Sequence, residues 1–136
     1  MLSVLRMALP AKHFLGREAR TRVTDTLHGC TDEDRHVVEL VTAELFANAV
    51  EAGSSEVVVE VEAGHNCIRI RVSNVGAPFN LPPRSPGTPE TQRGRGLQIV
   101  QAVGTVRVVH DEGTTSVEVD VPLACGRATP HETLGD

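Results

Sequence analysis

A chain of 136 residues with 40% hydrophobic residues has material for one compact core and little more. Its net charge of -5 and its lack of Trp and Tyr argue against direct nucleic-acid binding, which draws on surplus Lys and Arg and on aromatic stacking. No apolar run approaches the roughly 20 residues of a membrane span, and the start, MLSVLRMALP, lacks the apolar centre of a secretion signal, so a cytoplasmic chain without a membrane partner is expected. The three cysteines, Cys30, Cys67 and Cys125, are widely separated and form no CxxC pair, which suggests neither a disulfide framework nor a thiolate zinc site.

Residues 2–9 read as a strand stopped by Pro10, whose missing N–H would interrupt a ladder. Over 11–27, apolar residues at Ala11, Phe14, Leu15, Ala19, Val23 and Leu27 recur every three or four positions, with Arg17, Arg20 and Arg22 between them. That spacing predicts an amphipathic helix. Gly29 supplies a stop. Thr31, followed by Asp32, Glu33 and Asp34, supplies a capped and dipole-matched start for a second helix reaching about Ala52. This helix is apolar on most sides between Val37 and Val50 and is expected to be deeply packed.

Two alternating segments follow, with Val57, Val59 and Val61 on one face of a strand and Ile68, Ile70 and Val72 on one face of the next. They suggest a hairpin around Gly64, with Glu60 and Glu62 facing Arg69 and Arg71 if the register agrees. From Gly76 to Arg93 there are five prolines and little periodicity, which reads as a loop long enough to be a lid. Helical spacing returns over 94–103. Strands are expected at 105–110 and 115–121, around the turn Asp111-Glu112-Gly113. The order β-α-α-β-β-loop-α-β-β predicts an α+β two-layer sandwich, a mixed and mostly antiparallel sheet with helices on one face. A single domain over 1–123 and a C-terminal tail over 124–136 are expected.

Three segments carry candidate chemistry. In ELFANAVEAG, Glu44 and Asn48 are four residues apart and share one side of the second helix. SNVGAPF at 73–79 follows a strand directly. GRGLQIV at 94–100 opens a helix with glycines, which let a phosphate approach backbone N–H groups at the positive end of the helix dipole. Each segment alone has an ordinary structural reading: a solvated Glu, a satisfied buried amide, a glycine hinge.

In that order, and over roughly residues 10–122, the segments resemble the Bergerat-fold ATP-binding domains shared by histidine kinases, gyrase-type ATPases and anti-sigma-factor serine kinases. The resemblance implies that Asn48 holds Mg²⁺ beside ATP and that Glu44 is the catalytic acid-base residue. It places Asn74 where the family usually has Asp to accept from the adenine amino group, with Gly76 letting the backbone pass the base. Ala77 and Pro78 replace the usual second glycine of this motif, which stiffens the turn and adds bulk near the nucleotide. Residues 79–93 correspond to the triphosphate lid, with Arg84 and Arg93 as phosphate candidates, and Gly94, Arg95, Gly96 and Leu97 correspond to the phosphate-binding helix start.

A free-standing domain of this length most resembles the anti-sigma serine kinases. The implied function is that of a serine/threonine protein kinase which regulates transcription by binding a sigma factor or phosphorylating an anti-sigma antagonist. A homodimer is implied by the family alone. The alternatives are a nucleotide-responsive protein-binding regulator without kinase activity and a structural domain with a degenerate pocket.

Overall fold

The computed structural model describes residues 1–53, 55–75 and 92–130, with backbone alone for 92–97. Alternation of apolar and polar residues drives five of its elements into strands: β1 (Leu2–Pro10), β3 (Glu56–Gly64), β4 (Cys67–Val75), β5 (Thr105–Asp111) and β6 (Thr114–Pro122). They form one sheet in the order β1-β3-β4-β6-β5. All four pairings are antiparallel, so the mixed sheet expected from the sequence is antiparallel throughout.

Register aligns the inward residues in rows that cross the sheet. One row runs Met7, Val59, Val72, Val117, Val108, and the next runs Leu5, Val61, Ile70, Val119, Val106. On this face packs α2 (Asp32–Glu51), which meets β3, β4 and β6. Its start is the one its sequence demands: Thr31 Oγ1 accepts from the Asp34 N–H at 3.0 Å, and Asp32, Glu33 and Asp34 occupy the first turn. At the other end Gly53 takes a φ of 85°, a conformation that costs glycine little. Because α1 (Gly16–Thr24) and α3 (Gln92–Val103) both pack against α2, its Val38, Val41, Leu45 and Phe46 are buried. This explains the near-uniform apolarity of the second helix.

The first helix departs from its spacing. A 3-10 turn occupies His13–Leu15, α1 starts only at Gly16, and Leu27–His28 is a short strand, β2, rather than the helix end expected at 27. Packing supplies a reason: a Cβ on Gly16 would stand 3.6 Å from the Phe46 ring, so the chain there runs close against α2. Arg35 then holds the end of α1 by donating to the carbonyls of Thr24 and Leu27. The residues after Leu123, expected as a tail, first dock on the domain. Asp34 Oδ2 accepts from Ala124 N at 3.0 Å, and Arg127–Ala128 forms β7, antiparallel to β2.

Among the described residues no helix packs on the other face of the sheet, which is charged. Glu60 lies opposite Arg71 and Glu62 opposite Arg69, so the register, which the alternation left open, is one that pairs these charges. Tighter partners come from β6. Arg69 forks onto Asp120 at 2.7 and 3.2 Å, Arg71 bonds Glu118, and Arg107 of β5 reaches Glu118 at 3.2 Å and Asp120 at 3.1 Å. Arg6 of β1 adds an ion pair to Glu60 at 3.7 Å, so the network spans all five strands. The hydrogen bonds from Arg69 hold the Asp120 carboxyl below its ordinary range, against burial. Burial would raise Glu118, but hydrogen bonds and charge from Arg71 and Arg107 outweigh it and lower it.

Depressed folded-state values mean that the unfolded chain binds more protons below the ordinary carboxylate range, so this stability is present above that range and lost as pH falls through the folded values. Urea midpoints measured across pH 2–7 are expected to drop on the acid side in the wild type and to drop less in Arg107→Gln. Equal acid slopes in the two proteins would contradict the network's contribution.

Candidate functional site

The apolar rows of the inner face end abruptly. The row after Met7–Val108 reads Leu9, Val57, Asn74, Thr115, His110, so three adjacent strands turn polar on the side that α2 covers. Asn74 is the penultimate residue of β4 and only 1% exposed; Thr115 is buried beside it. His110 Nδ1 and Thr115 Oγ1 are 3.0 Å apart and satisfy one another. Among the described residues Asn74 has no such partner. Its outward neighbour Ser73 does, bonding Ser116 at 2.7 Å on the opposite face.

On α2, Asn48 is 3% exposed, within the packed part of the helix. Among the described residues, the buried side-chain nitrogen and oxygen atoms without a hydrogen-bond partner are Asn48 Nδ2, Asn74 Nδ2 and Asn74 Oδ1. Leaving such a group unpaired costs about 1–3 kcal/mol, and interiors rarely tolerate it. Both residues were singled out by sequence, on two different segments.

Glu44 lies one helical turn before Asn48 and Glu51 almost one turn after it, so the three form a stripe along α2. Glu44 is half-buried, and burial first, then the Glu51 carboxylate, pushes its carboxyl above the ordinary glutamate range. A carboxylate held partly out of water and near a like charge is the arrangement that tunes an acid toward general-base work.

The remaining predicted residues are placed less fully. Gly94, Arg95, Gly96 and Leu97 fall within the first two turns of α3, which begins at Gln92, two residues earlier than the glycine-led start expected at 94. N–H groups in a helix's first turn have no acceptor within the helix, and Gly94 lies in that turn of α3. Val100 fixes the helix in the core with no exposure. Gly76, Ala77, Pro78 and Arg84 lie outside the described residues.

The polar row itself was missed by the sequence reading. Its signal is the alternation of Thr115 with Val117, Val119 and Val121, which sets a hydroxyl on the inward face of β6 beside Asn74. A separate open groove lies on the outer sheet face, between Glu60, Arg71, Ser73, Ser116 and Glu118. It is remote from this chemistry by a full sheet thickness, and Glu60 and Glu118 there are already matched by Arg71 and Arg107.

A sequence profile of the histidine kinase-like ATPase domain matches residues 9–120, most of the chain and all three segments. The chain belongs to the histidine kinase-like ATPase domain family. Comparison with curated proteins yields no match. Membership makes this an ATP-binding, kinase-like domain, and the orphaned amides fit that ligand. Adenine offers an amino donor beside ring-nitrogen acceptors, and Asn74 has a free oxygen and a free NH₂ to meet them. Among the described residues no group of three or more His, Cys, Asp or Glu could hold a metal ion, so the protein alone supplies no cage of such ligands there. Also among them, no helix is long and apolar enough to cross a membrane.

Replacing an unpaired buried amide by an apolar group of similar size removes its desolvation cost. Asn74→Leu is therefore expected to stabilise the ligand-free protein by about 1–2 kcal/mol in urea denaturation while abolishing nucleotide binding. Destabilisation of that size in Asn74→Leu would mean that the amide is satisfied in the folded protein.

Proposed function

We propose that the chain is a cytoplasmic Mg-ATP-dependent protein kinase of the anti-sigma-factor type, transferring a phosphoryl group to a Ser or Thr hydroxyl of a partner protein. The observation that carries this reading is the set of orphaned buried amide atoms, Asn74 Oδ1, Asn74 Nδ2 and Asn48 Nδ2, together with a half-buried carboxylate one turn from Asn48. Asn74 would take the adenine edge, its Oδ1 accepting from the amino group and its Nδ2 donating to a ring nitrogen. Gly76 and Ala77 follow it in sequence and would flank the base. Gly94, Arg95, Gly96 and Leu97 would meet the phosphates through backbone N–H groups and the Arg95 guanidinium.

Asn48 would hold magnesium through its carbonyl oxygen, the remaining ligands being water and triphosphate oxygens. Bound there, the ion would neutralise phosphate charge. Glu44 would take the proton of the attacking hydroxyl as the oxygen–phosphorus bond forms and the bond from the γ-phosphorus to the ADP oxygen breaks. Positioning and charge neutralisation would provide most of the rate, as expected for phosphoryl transfer.

The partner is inferred to be a sigma factor, an anti-sigma antagonist, or both, with a second copy of this chain as a further partner. Exposed Arg17 and Arg22 on α1 are available for such a contact. A second reading, a nucleotide-responsive regulator that binds its partner without transferring phosphate, is favoured by Asn74 in place of Asp and by the Ala77-Pro78 pair in place of glycine.

Labelled ATP incubated with candidate antagonist proteins separates the two. Wild type is expected to label a Ser or Thr, and Glu44→Gln to lose at least about 100-fold of that rate while retaining ATP affinity. Nucleotide binding without labelling of any candidate would favour the regulator. Asn48→Ala is expected to remove the magnesium-dependent part of ATP affinity, read by titration with a fluorescent analogue.

The raised Glu44 carboxyl adds a pH signature. A base works deprotonated, so kcat/KM should fall on acidification at a pH above the usual glutamate value. Folding favours the protonated form, so Glu44→Gln should gain stability above that value and none below it. A rate limb at the ordinary carboxylate position would contradict the assignment.

A further inference from the structure

The short ribbon of β2 and β7 brings two cysteines together. Its register pairs Leu27 with Ala128 and His28 with Arg127. Continued along both chains, the same antiparallel count sets Gly29 against Gly126 and Cys30 against Cys125. The first of these approaches is observed: a Cβ on Gly29 would lie 3.6 Å from the Gly126 Cα. The ladder itself ends at His28 and Arg127, and Gly29 and Gly126 both turn through positive φ, so it is this close passage of the two turns that brings the cysteines toward the Cα span of roughly 4.4–6.8 Å that a disulfide bridges.

The two sulfurs also bond into one turn. Cys30 Sγ donates to the His28 carbonyl at 3.7 Å, and Cys125 Sγ to the Gly29 carbonyl at 3.5 Å. Gly126, beside Cys125 in sequence, has a φ of +84°, and a Cβ there would come within 2.6 Å of Cys30 Sγ. Only a residue without a side chain allows that approach. Cys67 is placed differently, in register with Gly64 at the β3–β4 turn, where a Cβ on Gly64 would come within 2.8 Å of its sulfur. All three thiols are free.

We propose that Cys30 and Cys125 form a reversible dithiol–disulfide pair that ties the segment after β6 to the turn before α2, with a low-molecular-weight disulfide as oxidant. Cys125 is the exposed member and reacts first. Its thiolate attacks one sulfur of the small disulfide, making a mixed disulfide and releasing one small thiolate. Cys30 then attacks Cys125 Sγ, forming the internal bond and expelling the second small thiolate. The two protein thiols lose two protons and two electrons, and the small disulfide becomes two thiols.

The order of attack is consistent with the surroundings of Cys30. Burial, the nearby Asp34 carboxylate and the charge of Cys125 all push its thiol up, against Arg35 and a backbone hydrogen bond from Arg127. The Cys125 contribution disappears once that residue is in a mixed disulfide, which frees Cys30 to act as the resolving thiol. The closed loop would enclose α2, β3, β4, α3, β5 and β6. It would reinforce the clamp in which Asp34 Oδ2 accepts from Ala124 and Cys125 N–H groups.

The full chain equilibrated in glutathione redox buffers and mapped by non-reducing peptide mass spectrometry tests the pair. The expected result is one intramolecular peptide link between Cys30 and Cys125, loss of two titratable thiols, retention of Cys67, and reversal by reductant. The melting temperature of the oxidised form should rise by roughly 5–15 °C. Cys30→Ser should stop at the mixed disulfide on Cys125. Three titratable thiols under oxidising buffer, independent glutathione adducts on both cysteines, or a link through Cys67 or between chains would overturn the proposal.

Discussion

Burial of α2 against the inner face of the sheet is the constraint on which the rest of the molecule depends. Rows of Val, Ile, Leu and Met cross β1, β3, β4, β6 and β5, and α2 closes over them with Val38, Val41, Leu45 and Phe46 buried. A core of this kind favours apolar residues in every inward position. One row departs from that, with Asn74, Thr115 and His110 in sequence across three strands, and one buried position of α2 departs with it at Asn48. Thr115 and His110 satisfy one another, but among the described residues Asn48 Nδ2 and both carboxamide atoms of Asn74 are buried unpaired, at a cost of about 1–3 kcal/mol each, a local conflict of the kind that marks ligand sites.

Strand alternation gives the sheet two electrostatic characters. On the outer face, acids and arginines neutralise one another in hydrogen-bonded pairs, and the shifts of Glu118 and Asp120 stabilise the fold at neutral pH. On the helix side, Glu44 has burial and a neighbouring acid working against its charge. The two sets of carboxylates therefore contribute in opposite directions. Those on the open face are satisfied and structural, whereas Glu44 is kept ready to accept a proton.

Much of the fold was legible because local and tertiary signals agreed. Pro10 ends β1, Thr31 and its acids start α2, Gly53 ends it, and the Asp111-Glu112-Gly113 turn joins β5 to β6 with positive φ at Glu112 and Gly113. Where they disagreed, packing prevailed. The spacing over 11–27 reads as one helix, yet the close passage of Gly16 by Phe46 and the pairing of Leu27 with Ala128 divide it. No local pattern announces β7, because its partner lies at the far end of the chain. Glu44, Asn48 and Asn74 were visible through motif spacing, while the roles of Thr115 and His110 emerged only when register set them beside Asn74.

The central claim is that Asn48 Nδ2 and both carboxamide atoms of Asn74, unpaired among the described residues, belong to side chains that engage nucleotide when it binds. Side-chain amide resonances of isotopically labelled protein, followed through a titration with Mg-ATP, read this directly. The account predicts that the Asn48 and Asn74 NH₂ signals move together and saturate with the binding isotherm, while Asn66, at the β3–β4 turn, stays still. Saturable ATP binding that leaves both amides unmoved would contradict it.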